Sequence, residues 1–349
     1  MKISIGSKII DGPWGGGNLF VKNFKNYLED KNHEVINHLL DDDIDVILFT
    51  DPRKKRLSSS TFNDKDIAKY KNILNKNVLV VQRINECDER KGTKGVNEFY
   101  LQSTKVSDHV VFVSTWLQQL YLNLGLIGKK TSVILSGSNE KIFNNADLDD
   151  ETKPEKIKLV THHWSSNKFK GLEFYQTIDR LISTEEWQNK IEFTYIGNIS
   201  EEFKFENTTI LEPMQDFEIA NELKKHHIYL TGSINEPSGN HHIEAAQCGL
   251  PILYLDSGGM PEYCDGYGVK FTGAEDFEIK LEEIILNYPS LRDNMKNYNL
   301  NSSKMSEEYL DLFEKMRKDI KNNEKKSNKS IFRKKSFILS QKLRNKINL

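Results

Sequence analysis

Short apolar runs alternate with amphipathic runs along nearly the whole chain. "KISIG" (2–6), "DVILFT" (45–50), "NVLVVQ" (77–82), "HVVFVS" (109–114) and "TSVILS" (131–136) are short and rich in Val and Ile. Such runs read as buried strands. Between several of them lie stretches with apolar residues at helical spacing, such as "NLFVKNFKNYLED" (18–30) and "STWLQQLYLNLG" (114–125). The alternation predicts a parallel sheet with covering helices. The polar, proline-containing stretch "NNADLDDETKPEK" (144–156) reads as a linker. The pattern then begins again, with strands expected at 157–162, 191–197, 227–232, 251–256 and 268–271. Helices are expected at 171–184, 215–225, 240–248 and 275–287. No internal repeat is visible. Two consecutive α/β domains meeting at a cleft is the predicted architecture.

Composition narrows the class. The chain has 349 residues, of which 37% are hydrophobic and 29% charged, as expected of a soluble two-domain protein. No run approaches the roughly 20 apolar residues that span a bilayer. The alternating start "MKISIGSKIIDGPWGGG" lacks the pattern of a signal peptide. Cys87, Cys248 and Cys264 are widely spaced without a C-x-x-C pair, which points to reduced thiols and a cytoplasmic protein. The net charge of −2 is unevenly spread. Residues 321–349 hold 10 Lys/Arg and one acid, leaving 39 bases against 50 acids in the remainder, a net −11. An acidic body argues against nucleic acid as the main partner. In the tail, Phe332, Leu339, Leu343 and Ile347 fall near helical spacing among the basic residues. The tail reads either as a basic amphipathic segment for an anionic membrane surface or as a solvated extension.

Two glycine loops follow strands. In "GPWGGGN" (12–18), Gly15, Gly16 and Gly17 permit close backbone approach to a ligand just before a helix start. The dinucleotide pattern G-x-G-x-x-G fails at Phe20, and no P-loop is present. In "DSGGMPEY" (256–263), Gly258 and Gly259 stand at the carboxyl end of a strand, where ligands bind in open α/β sheets. One loop in each half is expected to face the cleft.

"EPSGNHHIE" (236–244) carries two carboxylates and two adjacent histidines. Ser238, Gly239 and Asn240 suit a helix start, with the helix running to about Cys248 and Gly249 as its C-cap. Glu236 then lies in the preceding loop and Glu244 one turn into the helix. The N–H groups of Gly239, Asn240 and His241 would point at an anion. Adjacent residues diverge by about 100° on a helix, so His241 and His242 lack the geometry of a metal pair. The same holds for His162–His163 and His226–His227, and no metal site is expected.

The E-x7-E spacing followed by "EAAQCGLPILYLDSGGMPE" resembles the donor-site signature of retaining nucleotide-sugar glycosyltransferases of the GT-B fold, glycosyltransferase family 4. "GPWGGGNLFVKNFKNYLEDKNHEV" (12–35) is similar to the family's glycine loop, first helix and following strand. "VILSGSNEKIF" (133–143) resembles the segment closing the N-terminal domain, and "KGLEFYQTIDRL" (170–181) the helix that begins with the donor-binding Lys-Gly. The resemblance covers roughly residues 1–315. It implies two Rossmann-like domains with parallel sheets facing across a cleft: an acceptor-side domain at 1–148 and a donor-side domain at 149–302. A C-terminal helix at 303–320 would pack back on the first domain, ahead of the tail at 321–349.

The resemblance also implies roles. Glu236 would contact the donor sugar hydroxyls, Glu244 the ribose, and the amides of Gly239 to His241 the diphosphate. Lys170, helped by Lys168, would neutralise the leaving nucleotide, with Gly16 and Gly17 approaching from the opposite domain. The reaction implied is metal-independent transfer of a sugar from a nucleoside-diphosphate sugar, without cofactor, to a saccharide or lipid-linked acceptor. Three departures stand out. Ser165 occupies the place of the family's usual Arg, and Lys168 is the nearest basic residue. "SGSN" (136–139) replaces N-G-V-D. "QRINECDER" (82–90) stands where a His is usual, and within it Arg83, Asn85 and Asp88 are expected on the acceptor side. An NAD(P)-dependent oxidoreductase and a catalytically inactive nucleotide-sugar-binding relic are the alternatives.

Overall fold

The computed structural model describes residues 1–10, 15–53, 60–146, 154–199 and 203–322. Part of the glycine loop, most of the expected linker and nearly all of the basic tail lie outside these residues. The first half comprises β1 (Lys2–Ile5), α1 (Gly16–Asp30), β2 (Glu34–Ile36), β3 (Val46–Phe49), α2 (Asp64–Ile73), β4 (Leu79–Ile84), α3 (Val96–Ser103), β5 (His109–Phe112), α4 (Thr115–Asn123) and β6 (Lys130–Val133). The second half comprises β7 (Ile157–His163), α5 (Leu172–Ile182), β8 (Ile191–Gly197), β9 (Thr209–Leu211), α6 (Asp216–Leu223), β10 (Ile228–Thr231), α7 (Asn240–Gln247), β11 (Ile252–Leu255), α8 (Met260–Cys264), β12 (Gly268–Phe271), α9 (Ala274–Leu286), α10 (Tyr288–Asn294) and α11 (Ser302–Asn322).

Two parallel six-stranded sheets result, ordered β2-β1-β3-β4-β5-β6 and β12-β11-β10-β7-β8-β9. The apolar runs become central strands because both faces are covered: β3, β4, β5, β10 and β11 are buried along their whole length. α2 and α3 were not anticipated. α2 is announced by a capping box in which Asn63 accepts from the Asp66 amide at 3.1 Å while Asp66 accepts from the Asn63 amide. β9 is a short, half-exposed edge strand whose three residues give no periodic signal. α1 begins at Gly16, so glycines form its first turn.

Strand order reverses between β1 and β3 in the first sheet and between β7 and β10 in the second. Crevices at the carboxyl ends of strands open at such switch points. The segments after β1, β7 and β10 carry Gly16–Gly17, Lys170 and Glu236. The sequence signals therefore converge because the topology brings three separate loops together.

The last helix returns to the first half. Tyr309 of α11 packs on Phe24 and Phe20 of α1 at ring distances of 5.4 and 5.5 Å, with Phe313 alongside. Arg317 pairs with Asp45 at the amino end of β3. Among the described residues no helix is long and apolar enough to cross a membrane.

Candidate functional site

A cavity of about 430 Å³ lies between the two sheets. That falls in the usual range for small-ligand pockets. Gly15, Gly16 and Gly17 form part of one wall, and Lys170, Glu236, Gly239, Asn240, His241 and Glu244 part of the other. The walls touch: a Cβ on Gly16 would sit 2.9 Å from the Asn240 side chain, whereas one on Gly17 would meet nothing within 4 Å.

Lys170 ends a single 3₁₀ turn (Lys168–Lys170) that the Asn167 side chain caps by accepting from the Phe169 amide. The next residue, Gly171, adopts φ +83°, and a Cβ there would lie 2.4 Å from Gly232 at the end of β10. Only glycine allows this turn to press against that strand. The geometry aims Lys170 at Glu236, to which Nζ donates at 2.7 Å. Lys168 faces the opposite way. It is exposed, lies beside the Phe169 ring and does not line the cavity. Ser165 does line it.

Glu236 is only 3% exposed. Its second cation is Arg90, whose guanidinium approaches the carboxylate at 3.1 Å from the loop after β4, in the opposite sheet. Burial alone would raise the Glu236 pKa, but Arg90 and then Lys170 outweigh it and hold it at about 2. Burial pushes the Lys170 ammonium down and Glu236 opposes that shift. Arg90 also contacts Glu86, which pairs with Lys91. Arg90 stands inside the quoted "QRINECDER" segment, but the sequence reading favoured its neighbours.

α7 starts where expected. Gly239, at φ +72°, precedes it, and the amino end of the helix opens on the cavity. Glu244 pairs with Nε2 of His162 at 3.0 Å. His241 lines the cavity, and its Nε2 lies 3.2 Å from Thr231 Oγ1. His242 turns away into the core against the Tyr263 ring. Burial lowers the pKa of both rings, that of His242 to about 3. Among the described residues no group of three or more His, Cys, Asp or Glu is arranged to hold a metal ion.

Three expected site residues have other work. Gly258 and Gly259 do not line the cavity. They pack behind the Glu236 loop: the Gly259 amide donates to the Glu236 carbonyl at 2.9 Å, and a Cβ on Gly258 would lie 2.6 Å from that carbonyl. Just after this loop, Glu262 of α8 joins the two halves by accepting from the Thr115 and Trp116 amides, and so caps α4. Asp88 likewise caps, accepting from the Val96 and Asn97 amides at the start of α3. Arg83 and Asn85 do line the cavity.

The arrangement is paired parallel α/β sheets, a glycine-lined wall, and cations gathered at a helix start across the cleft. Residues 189–302 match the family described as Glycosyl transferases group 1. Solved structures match over almost the whole chain. Sucrose-phosphate synthase from Thermosynechococcus elongatus is 13% identical with a TM-score of 0.63, covering 90% of this chain and 98% of its own. A glycosyltransferase from Rickettsia africae is 15% identical with a TM-score of 0.60, covering 93% and 99%. Anabaena HepE in complex with UDP and glucose is 13% identical with a TM-score of 0.64, covering 90% and 100%. The fold is GT-B. No curated protein matches the sequence. Within this GT-B fold the matched segment contains β10, α7 and α8, and with them Glu236, Glu244 and the amino end of α7. Lys170 and Arg90 lie outside it and join the site through the fold alone.

Proposed function

We propose that the protein is a retaining glycosyltransferase. It transfers a hexosyl group from a nucleoside-diphosphate sugar to a hydroxyl of a saccharide or lipid-linked glycan, as in polysaccharide biosynthesis. The observation that carries this reading is the convergence of Lys170 and Arg90 on Glu236 beside the amino end of α7. In breaking the bond between the sugar anomeric carbon and the diphosphate oxygen, negative charge grows on the leaving nucleotide. Preorganised cations and N–H donors stabilise that charge. Lys170, Arg90 and Lys91 stand against Glu236 and Glu86, three cations against two carboxylates, so a net positive charge remains for the diphosphate.

In this reading Glu236 accepts from the sugar hydroxyls, and Glu244, oriented by His162, accepts from the ribose. The amides of Gly239 to His241, with Gly16 and Gly17 opposite, hold the diphosphate. The acceptor oxygen attacks on the face the nucleotide leaves, and its proton passes to the departing phosphate oxygen. Charge neutralisation falls to Lys170, Arg90 and backbone amides, so a metal-independent reaction is proposed, with the nucleotide sugar as co-substrate and no resident cofactor. The complex of HepE with UDP and glucose supports that donor class. A cytoplasmic enzyme that touches a membrane surface through the basic tail 321–349 would fit a lipid-linked acceptor.

The test is to incubate the protein with labelled UDP-, GDP- and ADP-sugars and measure nucleotide release, then determine the anomeric configuration of the product by NMR. Release from one donor with retained configuration is expected. No release from any donor, together with tight binding of NAD, would replace this reading with an oxidoreductase.

A further inference from the structure

The cavity holds a cation that the donor site leaves unused. Arg83, at the carboxyl end of β4, is 4% exposed and lines the cavity. Lys170 and Arg90 share Glu236, and Lys91 pairs with Glu86. Arg83 has no such partner: among the described residues no carboxylate lies within ion-pair distance of it. Its guanidinium stacks 4.2 Å from the Phe20 ring centroid and lies beside the Tyr309 hydroxyl, Nη2 makes one long hydrogen bond of 3.4 Å to Ser136 Oγ, and Nε donates to nothing among the described residues. A guanidinium cannot shed its proton to escape burial. A buried charge without a counterion is strongly disfavoured, so its retention calls for an anion that the described residues do not supply. The open N–H edge of the fork suits a phosphate or carboxylate.

We propose that Arg83 binds an oxyanion carried by the acceptor, so that the acceptor is an anionic saccharide or glycan bearing a phosphate or carboxylate. This rests on the transferase reading. The diphosphate is met by Lys170 and Arg90, which converge on Glu236 from the two halves, and by the start of α7. Arg83 belongs to the first-sheet wall with Phe20 of α1 and does not reach Glu236. Two separate cationic centres in one cleft match two anionic substrates.

Thermal unfolding of the full chain tests this, with inorganic phosphate as probe. The protein is first saturated with whichever of UDP, GDP and ADP stabilises it most, which fills the diphosphate site. Phosphate is expected to raise the midpoint further in the unaltered protein. Arg83→Gln is expected to weaken this second response at least tenfold in phosphate concentration while keeping the nucleotide response. Arg83→Lys, which keeps the charge but not the fork, should retain part of it and serves if the glutamine variant does not fold. Empty Arg83→Gln should be at least as stable as the unaltered protein, because an unpaired buried charge has gone. The inference is overturned if phosphate has no effect, if it acts equally on Arg83→Gln, or if its effect vanishes once nucleotide is bound. The last outcome would place Arg83 on the donor. If no nucleotide stabilises the protein, the transferase reading fails instead, and the dependence of phosphate binding on Arg83 is still read in the nucleotide-free protein.

Discussion

Arg90 and Glu236 stand 146 residues apart and meet across the cleft, with guanidinium and carboxylate 3.1 Å from each other. One belongs to the loop after β4 and the other to the loop after β10, so the pair forms only when the two halves are closed. Lys170 completes the cluster from a third loop.

Replacing Glu236 with glutamine separates sugar recognition from phosphate recognition. The substitution removes the charge that occupies Lys170 and Arg90 and leaves both cations buried without it. Breaking such a pair costs roughly 3–5 kcal/mol of stability. Added nucleoside diphosphate should recover much of that loss, while transfer should fall by about a hundredfold or more, as for a lost transition-state contact. Thermal midpoints with and without UDP, GDP or ADP, beside a turnover assay, check both. Unchanged turnover in Glu236→Gln would remove Glu236 from the site.

Arg90 should serve as the guanidinium that Ser165 does not provide. Arg90→Ala is expected to lower transfer by about one hundredfold, and Arg90→Lys by nearly as much, because an ammonium lacks the bidentate fork. Ser165 lines the same cavity, so Ser165→Arg in the Arg90→Ala background should restore part of the activity. The relevant measurement is kcat for the three variants. A fully active Arg90→Ala protein would reduce Arg90 to a clasp between the halves.

The strands were legible because each is a continuous apolar run buried on both faces, as in β3 and β4. The start of α7 was legible because Gly239 and Asn240 punctuate the chain after such a run. α2 and α3 were not, since neither buries a full apolar stripe: Ile67 and Tyr70 are the buried apolar side chains of α2, and Tyr100 that of α3. Arg90 was invisible for a different reason, as its role arises from closure of two distant loops and leaves no local spacing. Gly258 and Gly259 misled because a glycine pair at a strand end admits backbone as readily as ligand, and here the Glu236 loop fills the space. Lys168 and Lys170 are equivalent by composition, and only the 3₁₀ turn points one inward.

Alanine at two of the glycines should separate folding from binding. Gly258 has φ +65° and a Cβ there would strike the Glu236 backbone, so Gly258→Ala should destabilise the protein by about 1–3 kcal/mol. A Cβ on Gly17 meets nothing within 4 Å, so Gly17→Ala should unfold like the unaltered protein. If a diphosphate lies against that backbone, the same methyl group should weaken nucleotide binding by about tenfold or more. Denaturant midpoints and nucleotide titrations of the two variants provide the comparison. Normal nucleotide affinity in Gly17→Ala would argue against contact at that wall.

Acid should weaken the protein well above the range in which ordinary carboxylates titrate. Burial holds the His163, His241 and His242 rings well below the usual imidazole range, and it likewise lowers His226 and holds His109 and His227 at about 4. Released by unfolding, these rings take up protons below about pH 6.5, whereas the native rings do so only at much lower pH. The unfolded state therefore binds more protons as pH falls. Stability contributed by the neutral rings is full above pH 6.5 and declines toward their native values. Each ring adds a slope of about 1.4 kcal/mol per pH unit once its unfolded form is charged. Glu236, held at about 2, extends the loss from the ordinary carboxylate range down to that value. Urea midpoints at pH 7.5, 6.0 and 5.0 should fall progressively at constant m. His242→Phe, which removes one of the buried rings, should make the decline shallower. A midpoint that stays level from pH 7.5 to 5.0 would mean that these rings accept protons in the folded protein.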